Sequence, residues 1–346
     1  MKVAVIYNRD RKGVINVFGA QNKEWYPDET VQKVVAALES TGHIVDLIPA
    51  DRHLLARLNK FLPKLSRRRP NGIALNLALG VQGKCRYTHV PAILEVAGIP
   101  YTGSSPMGHI LALDKVVAKQ IFLASGLPTP NYRVYMTTEL DAPHLKFPVI
   151  VKPRGEAASF GIEIVRDEAS LKNAVKEIIE EFKQPALAEE FIEGREVNVA
   201  LVGNDPPQAF PVLELVFKEG HSGIYSHDKK FDHSRAKKVK KVCPAKLPPE
   251  TSAYIQKIAL QAFDILNVYD FGRVDFRLDQ YNQPYILEMN SMASINPDSS
   301  FVMAASKAGY SYDQLINRIV EVSVERYARE APDFFSNNNH RSNTDS

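Results

Sequence analysis

The stretch DFGRVDFRLDQYNQPYILEMN, residues 270–290, holds two alternating runs around a polar turn and reads as a β-hairpin. With the turn centred between Tyr281 and Asn282, Arg273 faces Asn290, Asp275 faces Glu288 and Arg277 faces Ile286. The alternate positions Val274, Phe276 and Leu278 then face Met289, Leu287 and Tyr285 on an apolar side. Two carboxylates directly opposite each other repel unless a positive charge lies between them. Two readings follow. Either this is a solvated face neutralised by Arg273 and Arg277, or Asp275, Glu288 and Asn290 supply hard oxygens to a divalent metal whose other positions go to water and phosphate. The second reading needs a phosphate donor, and it makes Arg273 the fixed cation beside the reacting group.

Outward from the hairpin, the middle of the chain offers phosphate contacts. In VIVKPRGEAASFGIEIV, residues 149–165, Lys152 ends a strand. The following loop, with Gly155, Ala158, Ser159 and Gly161, is small enough for backbone N–H groups to approach a phosphate, although such residues also make plain turns. Neither this loop nor GVQGK at 80–84 has the GxxxxGK[ST] spacing of a P-loop. In LAEEFIEGREVNV, residues 187–199, two strand-like pieces flank Glu193 and Gly194. Glu189 and Glu196 are then either surface acids on a hairpin, or part of a connection between lobes that offers backbone and carboxylate groups to an adenine edge and a ribose.

Towards the N-terminus, KVAVIY, TVQKVVAALES, HIVDLI and IALNLAL alternate strand, helix, strand, strand, with a further helix near 90–97 and a short strand at IPYTG. This pattern predicts a small parallel α/β lobe. MGHILALDKVVAKQIFLASG, residues 107–126, reads as one helical segment, and the prolines of LPTP end it. Beyond it the chain alternates strands with helices at about 168–182, 249–266 and 311–329, and the polar tail 331–346 is expected to be disordered. The expected lobes are 1–107, 108–203 and 204–330.

At 346 residues, with 45% hydrophobic and 24% charged content, the chain is long enough for several packed lobes. A net charge of +3 is too small to imply a nucleic-acid partner. The basic run KKFDHSRAKKVKK, residues 229–241, reads mostly as a solvated loop, Lys241 included. Cys85 and Cys243 lack metal or disulfide spacing, and no apolar run is long enough for a membrane span, so a cytoplasmic protein without a membrane partner is expected.

The ordered set Asp114-Lys115, VIVKP at 149–153, EEFIEGRE at 189–196, GRVD at 272–275 and LEMN at 287–290 resembles the ATP-grasp enzymes, and among them the D-alanine:D-alanine ligase group. IPYTGSSPMGHILALDKVVAK and AASKAGYSYDQLINRI are similar to that group as well. The resemblance covers about residues 97–326 and implies an ATP-grasp fold: a Rossmann-like α/β lobe followed by two α+β lobes that grip ATP. It also implies an acylphosphate intermediate, formed from a carboxylate and ATP and then attacked by an amine.

Carried over position by position, Lys115 and Lys152 resemble the ATP phosphate contacts, and Gly155 to Gly161 with Ala158 and Ser159 the loop covering the phosphates. Glu189, Phe191 and Ile192 resemble the adenine-side segment, and Glu196 the ribose ligand. Asp275, Glu288 and Asn290 match ligands of Mg²⁺, or of Mn²⁺ in its place. Arg273 matches the arginine at the tetrahedral intermediate, Lys230 the lysine brought to the γ-phosphate, and Ser299 a substrate-binding serine. The resemblance further implies small amino-acid or carboxylate substrates and a homodimer.

Departures gather on the amino-acid side. Ala158 and Phe231 stand where the family has a serine and a tyrosine, the first lobe has NKEWYPDET in place of a glutamate-valine-serine motif, and SMASINPDSS has Ser294 and Asp298 in place of a glycine and a histidine. Three functions stay open: a ligase joining two D-alanines, a ligase for other amino acids or carboxylates, and a nucleotide-binding regulator without ligation.

Overall fold

The computed structural model describes residues 1–8, 22, 24–63, 72–140, 145–156, 161–217 and 239–330. Ala158, Ser159, Lys230, Phe231 and the tail expected to be disordered lie outside these.

The first lobe is a parallel sheet of β1 (Lys2–Tyr7), β2 (Ile44–Pro49) and β3 (Gly72–Asn76) in the order β2-β1-β3, joined by α1 (Asp28–Glu39) and α2 (Leu54–Phe61) and followed by α3 (His89–Ala97). Val3, Ala4, Val5 and Ile6 are all fully buried, because helices cover both faces of a parallel sheet. Helix α3 stops at Gly98, which takes a left-handed φ of 65°. Only Tyr101 of the expected IPYTG strand pairs, as an isolated bridge to Ala74.

The segment expected as one helix is two, α4 (Pro106–Leu113) and α5 (Lys115–Ala124). Asp114 adopts an extended conformation between them, and its carboxylate accepts from Val116 N and Val117 N at 3.1 and 3.2 Å. An aspartate satisfies the free N–H groups of a new helix better than it continues an old one.

A four-stranded antiparallel sheet follows, ordered β4-β7-β5-β6: β4 (Tyr132–Tyr135), β5 (Val149–Pro153), β6 (Glu163–Val165) and β7 (Ala186–Glu190). Helix α6 (Glu168–Phe182) packs Leu171, Val175 and Ile178 onto it, giving this lobe its own core. The larger sheet runs β11-β10-β8-β12-β13, with β9 (Gln208–Ala209) beside β8 (Arg195–Val202). Its other strands are β10 (Leu213–Phe217), β11 (Val239–Val242), β12 (Phe271–Leu278) and β13 (Pro284–Asn290). Helices α7 (Pro249–Ile265), α8 (Ser300–Lys307) and α9 (Tyr312–Glu330) complete the lobe.

The strands β7 and β8 are consecutive but sit in different sheets, so 191–194 joins two lobes and is not the turn of a hairpin. The larger sheet therefore begins at Arg195, ahead of the expected 203/204 boundary. Ala112, Ala118 and Phe122 of α4 and α5 pack in the core of the larger sheet.

The hairpin forms as β12 and β13, with Arg273 opposite Asn290, Val274 opposite Met289 and Asp275 opposite Glu288. A bulge after Asp275 then shifts the register, pairing Phe276 with Ile286, Arg277 with Tyr285 and Leu278 with Pro284. Ile286 donates its N–H to Pro128 O at 2.8 Å and enters the core, while Leu287, expected on the apolar face, lines a cavity instead.

Candidate active site

A cavity of about 790 Å³ opens between the two antiparallel sheets and the first lobe. Lys115, Lys152, Glu189, Glu196, Arg273, Asp275, Glu288, Asn290 and Ser299 all line it, though they come from segments far apart in the chain. Phe191, Ile192, Gly155 and Gly161 are not among its lining residues.

On the hairpin, the like charges are kept apart by two cations. Arg273 pairs with Asp275 through Nε and Nη2, each at 2.6 Å, and Asn290 Nδ2 donates to Asp275 Oδ2 at 3.0 Å. Lys115 Nζ lies 3.4 Å from Glu288 Oε2. Burial acts to raise the Glu288 pKa, but Lys115, Lys152 and Arg273 outweigh it and hold that carboxyl at about 2.

Arg277 does not neutralise this pair. It sits 3.4 Å from Glu196, donates to Ile192 O at 2.6 Å and Gly194 O at 3.1 Å, and stacks 4.5 Å from the Phe191 ring centre. Burial, with Asp275 and Glu288 nearby, pushes Glu196 up to about 7 against the pull of Arg277. Among the described residues no three His, Cys, Asp or Glu side chains gather as a metal cluster. The donor set of Asp275, Glu288 and the Asn290 amide nevertheless consists of hard oxygens on one face, which fits a small divalent cation.

Glu189, expected in the adenine-side segment, lines the cavity as a buried carboxylate and not as a surface acid. It is 1% exposed and lies 2.6 Å from Lys152 and 2.8 Å from Lys119, a buried cation on α5. Lys119 in turn donates to Thr129 Oγ1 at 2.6 Å, and Thr129 donates to Ile286 O at 2.7 Å. Burial favours neutral forms of both partners. It brings Lys119 down to about 8 despite Glu189, whereas the two lysines overcome burial at Glu189 and lower its pKa. The position of Lys119, four residues after Lys115 on one helix, was the signal in the sequence, since that spacing puts both on the same face.

The turn after β5 is fixed from several sides. Arg154 grips Asp114 with two nitrogens at 2.8 to 3.0 Å, Gln184 Nε2 donates to Glu156 at 2.6 Å, and Lys115 donates to Glu156 O. Arg86, 4% exposed, donates to Gly155 O at 3.2 Å and lies 3.6 and 3.7 Å from Glu156 and Glu24. Gly161 has a φ of 65°, and a Cβ there would come within 2.7 Å of the Phe182 ring.

Sequence reasoning singled out NKEWYPDET but gave no site role to the first-lobe wall it forms: Glu24, which accepts from Tyr87 OH at 2.5 Å, with Trp25 and Tyr26. It also read Lys241 as solvated, but that side chain lines the cavity and donates to Asp298 O. Ser299 caps α8 by accepting from Val302 N at 3.2 Å.

The family model for the D-ala D-ala ligase C-terminus matches residues 121–321. A D-alanine–D-alanine ligase of Erythrobacter litoralis is 34% identical over 85% of this chain and 88% of its own length. An uncharacterized protein of Sinorhizobium fredii, y4sG, is 41% identical over 94% of this chain and 98% of its own length. The crystal structure of D-alanine–D-alanine ligase from Bacillus anthracis complexed with ATP superposes with a TM-score of 0.73 at 21% identity, covering 95% of this chain and 99% of that one. Two antiparallel sheets facing a shared cavity, a parallel first lobe and this likeness in sequence lead to one assignment: the chain belongs to the D-alanine:D-alanine ligase family of ATP-grasp, ATP-dependent ligases.

Proposed function

We propose that the protein binds ATP between its two antiparallel sheets and uses it to join a small carboxylate to an amine, as a D-alanine:D-alanine ligase or a close variant with other acceptors. The observation that carries this reading is the meeting of Lys115, Lys152, Arg273, Asp275, Glu288 and Asn290 in one cavity. Lysines from the α5 start and β5 are suited to phosphate oxygens, and Glu196, beside the connection between sheets, to ribose hydroxyls. Glu189 holds Lys152 in place, while the backbone at Phe191 and Ile192 faces the adenine. The loop from Gly155 through Ala158 and Ser159 to Gly161 covers the phosphates, and Lys230 completes their neutralisation.

Asp275, Glu288 and Asn290 would hold Mg²⁺, or Mn²⁺. When bound, such an ion neutralises charge on the phosphoryl group being transferred. Arg273 sits beside these carboxylates and steadies the oxyanion formed as the amine attacks the acyl carbon. Ser299, at the start of α8, receives a polar group of the amine substrate. The same reading places the protein in the cytoplasm as a homodimer, without nucleic-acid or membrane partners. Among the described residues no helix is long and apolar enough to cross a membrane.

A second reading, a ligase for amino acids other than D-alanine, is favoured by one observation. Ala158 and Phe231 stand where the family has a serine and a tyrosine, and Ser294 and Asp298, which line the cavity, replace a glycine and a histidine. The test is release of ADP and phosphate with Mg²⁺ across D- and L-amino acids and small carboxylates. Dependence on D-alanine alone selects the first reading and dependence on another pair selects the second. Tight ATP binding without turnover for any pair rejects both in favour of a regulator.

A further inference from the structure

GVQGK at 80–84 has no P-loop spacing, yet it leads into a buried cation. Arg86 opens a short 3₁₀ turn, Arg86–Thr88, and its side chain is 4% exposed. Its backbone is locked into the first lobe. Gly80 has a φ of 73°, and a Cβ there would run into Arg86 O, so only glycine lets the two segments touch. Asn22 Nδ2 in turn donates to Leu79 O at 2.7 Å and to Gly80 O at 3.1 Å.

The guanidinium reaches out of that lobe. Nη1 donates to Gly155 O at 3.2 Å, and Nη2 lies 3.6 Å from Glu156 and 3.7 Å from Glu24. Gly155 and Glu156 belong to the turn after β5, in the lobe with its own core, whereas Glu24 belongs to the first-lobe wall. Arg86 Nε and Nη2 are buried and have no hydrogen-bond partner among the described residues, so the two carboxylates meet the charge from beyond hydrogen-bond distance. A buried cation is costly unless its counter-ions stay close. The attraction therefore draws the turn toward the first lobe. Lys115 shares in this, because its ammonium donates to Glu156 O and lies 3.4 Å from Glu288.

Resting on the reading that ATP phosphates lie against this turn, we propose that Arg86 is a positioning residue for the nucleotide, acting from the first lobe through Gly155 O and Glu156. It sets the turn, and the Lys115 bonded to it, at the height the phosphates require. The grip on ATP is thus governed by a lobe that holds neither Lys115 nor Lys152.

The experiment measures the affinity of the full-length protein for ADP with Mg²⁺ by calorimetry, alongside thermal unfolding. Arg86→Met is expected to weaken ADP binding about 10-fold, and Arg86→Lys, which keeps the charge, to recover part of that loss. Glu156→Gln is expected to give a smaller loss, and the double variant Arg86→Met with Glu156→Gln to bind no worse than Arg86→Met alone, since both changes break one contact. Wild-type affinity in Arg86→Met overturns the assignment while the ligase reading stands. Additive losses in the double variant also overturn it, because they make Glu156 a nucleotide contact independent of Arg86. A loss that Arg86→Lys does not recover, with a lower unfolding temperature in both, overturns it in favour of a purely structural role. Where Arg86→Met fails to fold, wild-type affinity in Glu156→Gln overturns it. Wild type that binds no ADP overturns the nucleotide reading itself, and the assignment with it.

Discussion

Lys119 and Glu189 stand 2.8 Å apart with 0% and 2% side-chain exposure, and the other oxygen of Glu189 is 2.6 Å from Lys152. One buried carboxylate thus joins a cation that faces the cavity to one that does not. Replacing Lys119 with Met leaves Glu189 with Lys152 as counter-ion but free to shift, and Lys152 shifts with it. The expected loss is about 1–3 kcal/mol of stability, together with weaker binding of ADP and Mg²⁺ by calorimetry. Stability and affinity both equal to wild type would show that Lys152 is held by other means.

Arg273→Met removes the cation paired with Asp275 and proposed to face the oxyanion. Turnover should fall about 10²- to 10³-fold with nucleotide affinity little changed. Asp275→Ala and Glu288→Ala should abolish turnover and its Mg²⁺ dependence while the circular dichroism spectrum stays that of the folded protein. Either carboxylate variant retaining wild-type turnover would remove it from the proposed metal set.

Glu196 predicts a pH effect. Its folded pKa, about 7, lies above the ordinary value of 4.5, so its contribution to stability is full below 4.5 and is lost as pH rises through about 7. Nucleotide affinity should move the other way, rising through about 7 as this carboxylate, the proposed ribose ligand, becomes a full acceptor. In Glu196→Gln this rise should be flat; an unchanged pH profile would assign it to another group.

Asp270 joins distant parts of the chain. Its carboxylate accepts from Arg326 Nε and Nη2 at 3.0 Å each, Gly103 N at 2.8 Å, Ser323 Oγ at 2.7 Å and Asn204 Nδ2 at 2.9 Å, and its own φ is 67°. Asp270→Ala strands the buried guanidinium of Arg326 and keeps the unfavourable φ. It should cost about 3–5 kcal/mol in denaturant unfolding. A loss of less than 1 kcal/mol, by contrast, would mean that water or a shifted side chain replaces the carboxylate.

Much of the hairpin was legible because apolar alternation on both strands fixes the pairing from Arg273 to Asp275. The bulge was not, since it depends on Ile286 bonding to Pro128, more than 150 residues away in sequence. The split between β7 and β8 could be read only as one of two options, because eight strand-like residues look the same in either sheet. Lys119 had a helical signal, but its partner Glu189 is brought in by folding. Lys241 was hidden by averaging: a run of lysines reads as a single solvated patch until a strand assigns alternate members to opposite sides.

The cores divide the molecule unequally. Val3, Val5 and Val34 of the first lobe share one apolar cluster with Ala200, Phe271 and Leu315, and Asp270 ties Gly103 to α9 across the same junction. The four-stranded sheet has a separate core and reaches the larger sheet along the chain through residues 191–194. Shear between the first lobe and the larger sheet would expose a common interior, whereas tilting the smaller sheet exposes none of its own. Arg273, Asp275 and Ser299 thus stand on one packed body and Lys152 on a sheet with a core of its own, and the buried Lys119–Glu189 pair is the rivet between them.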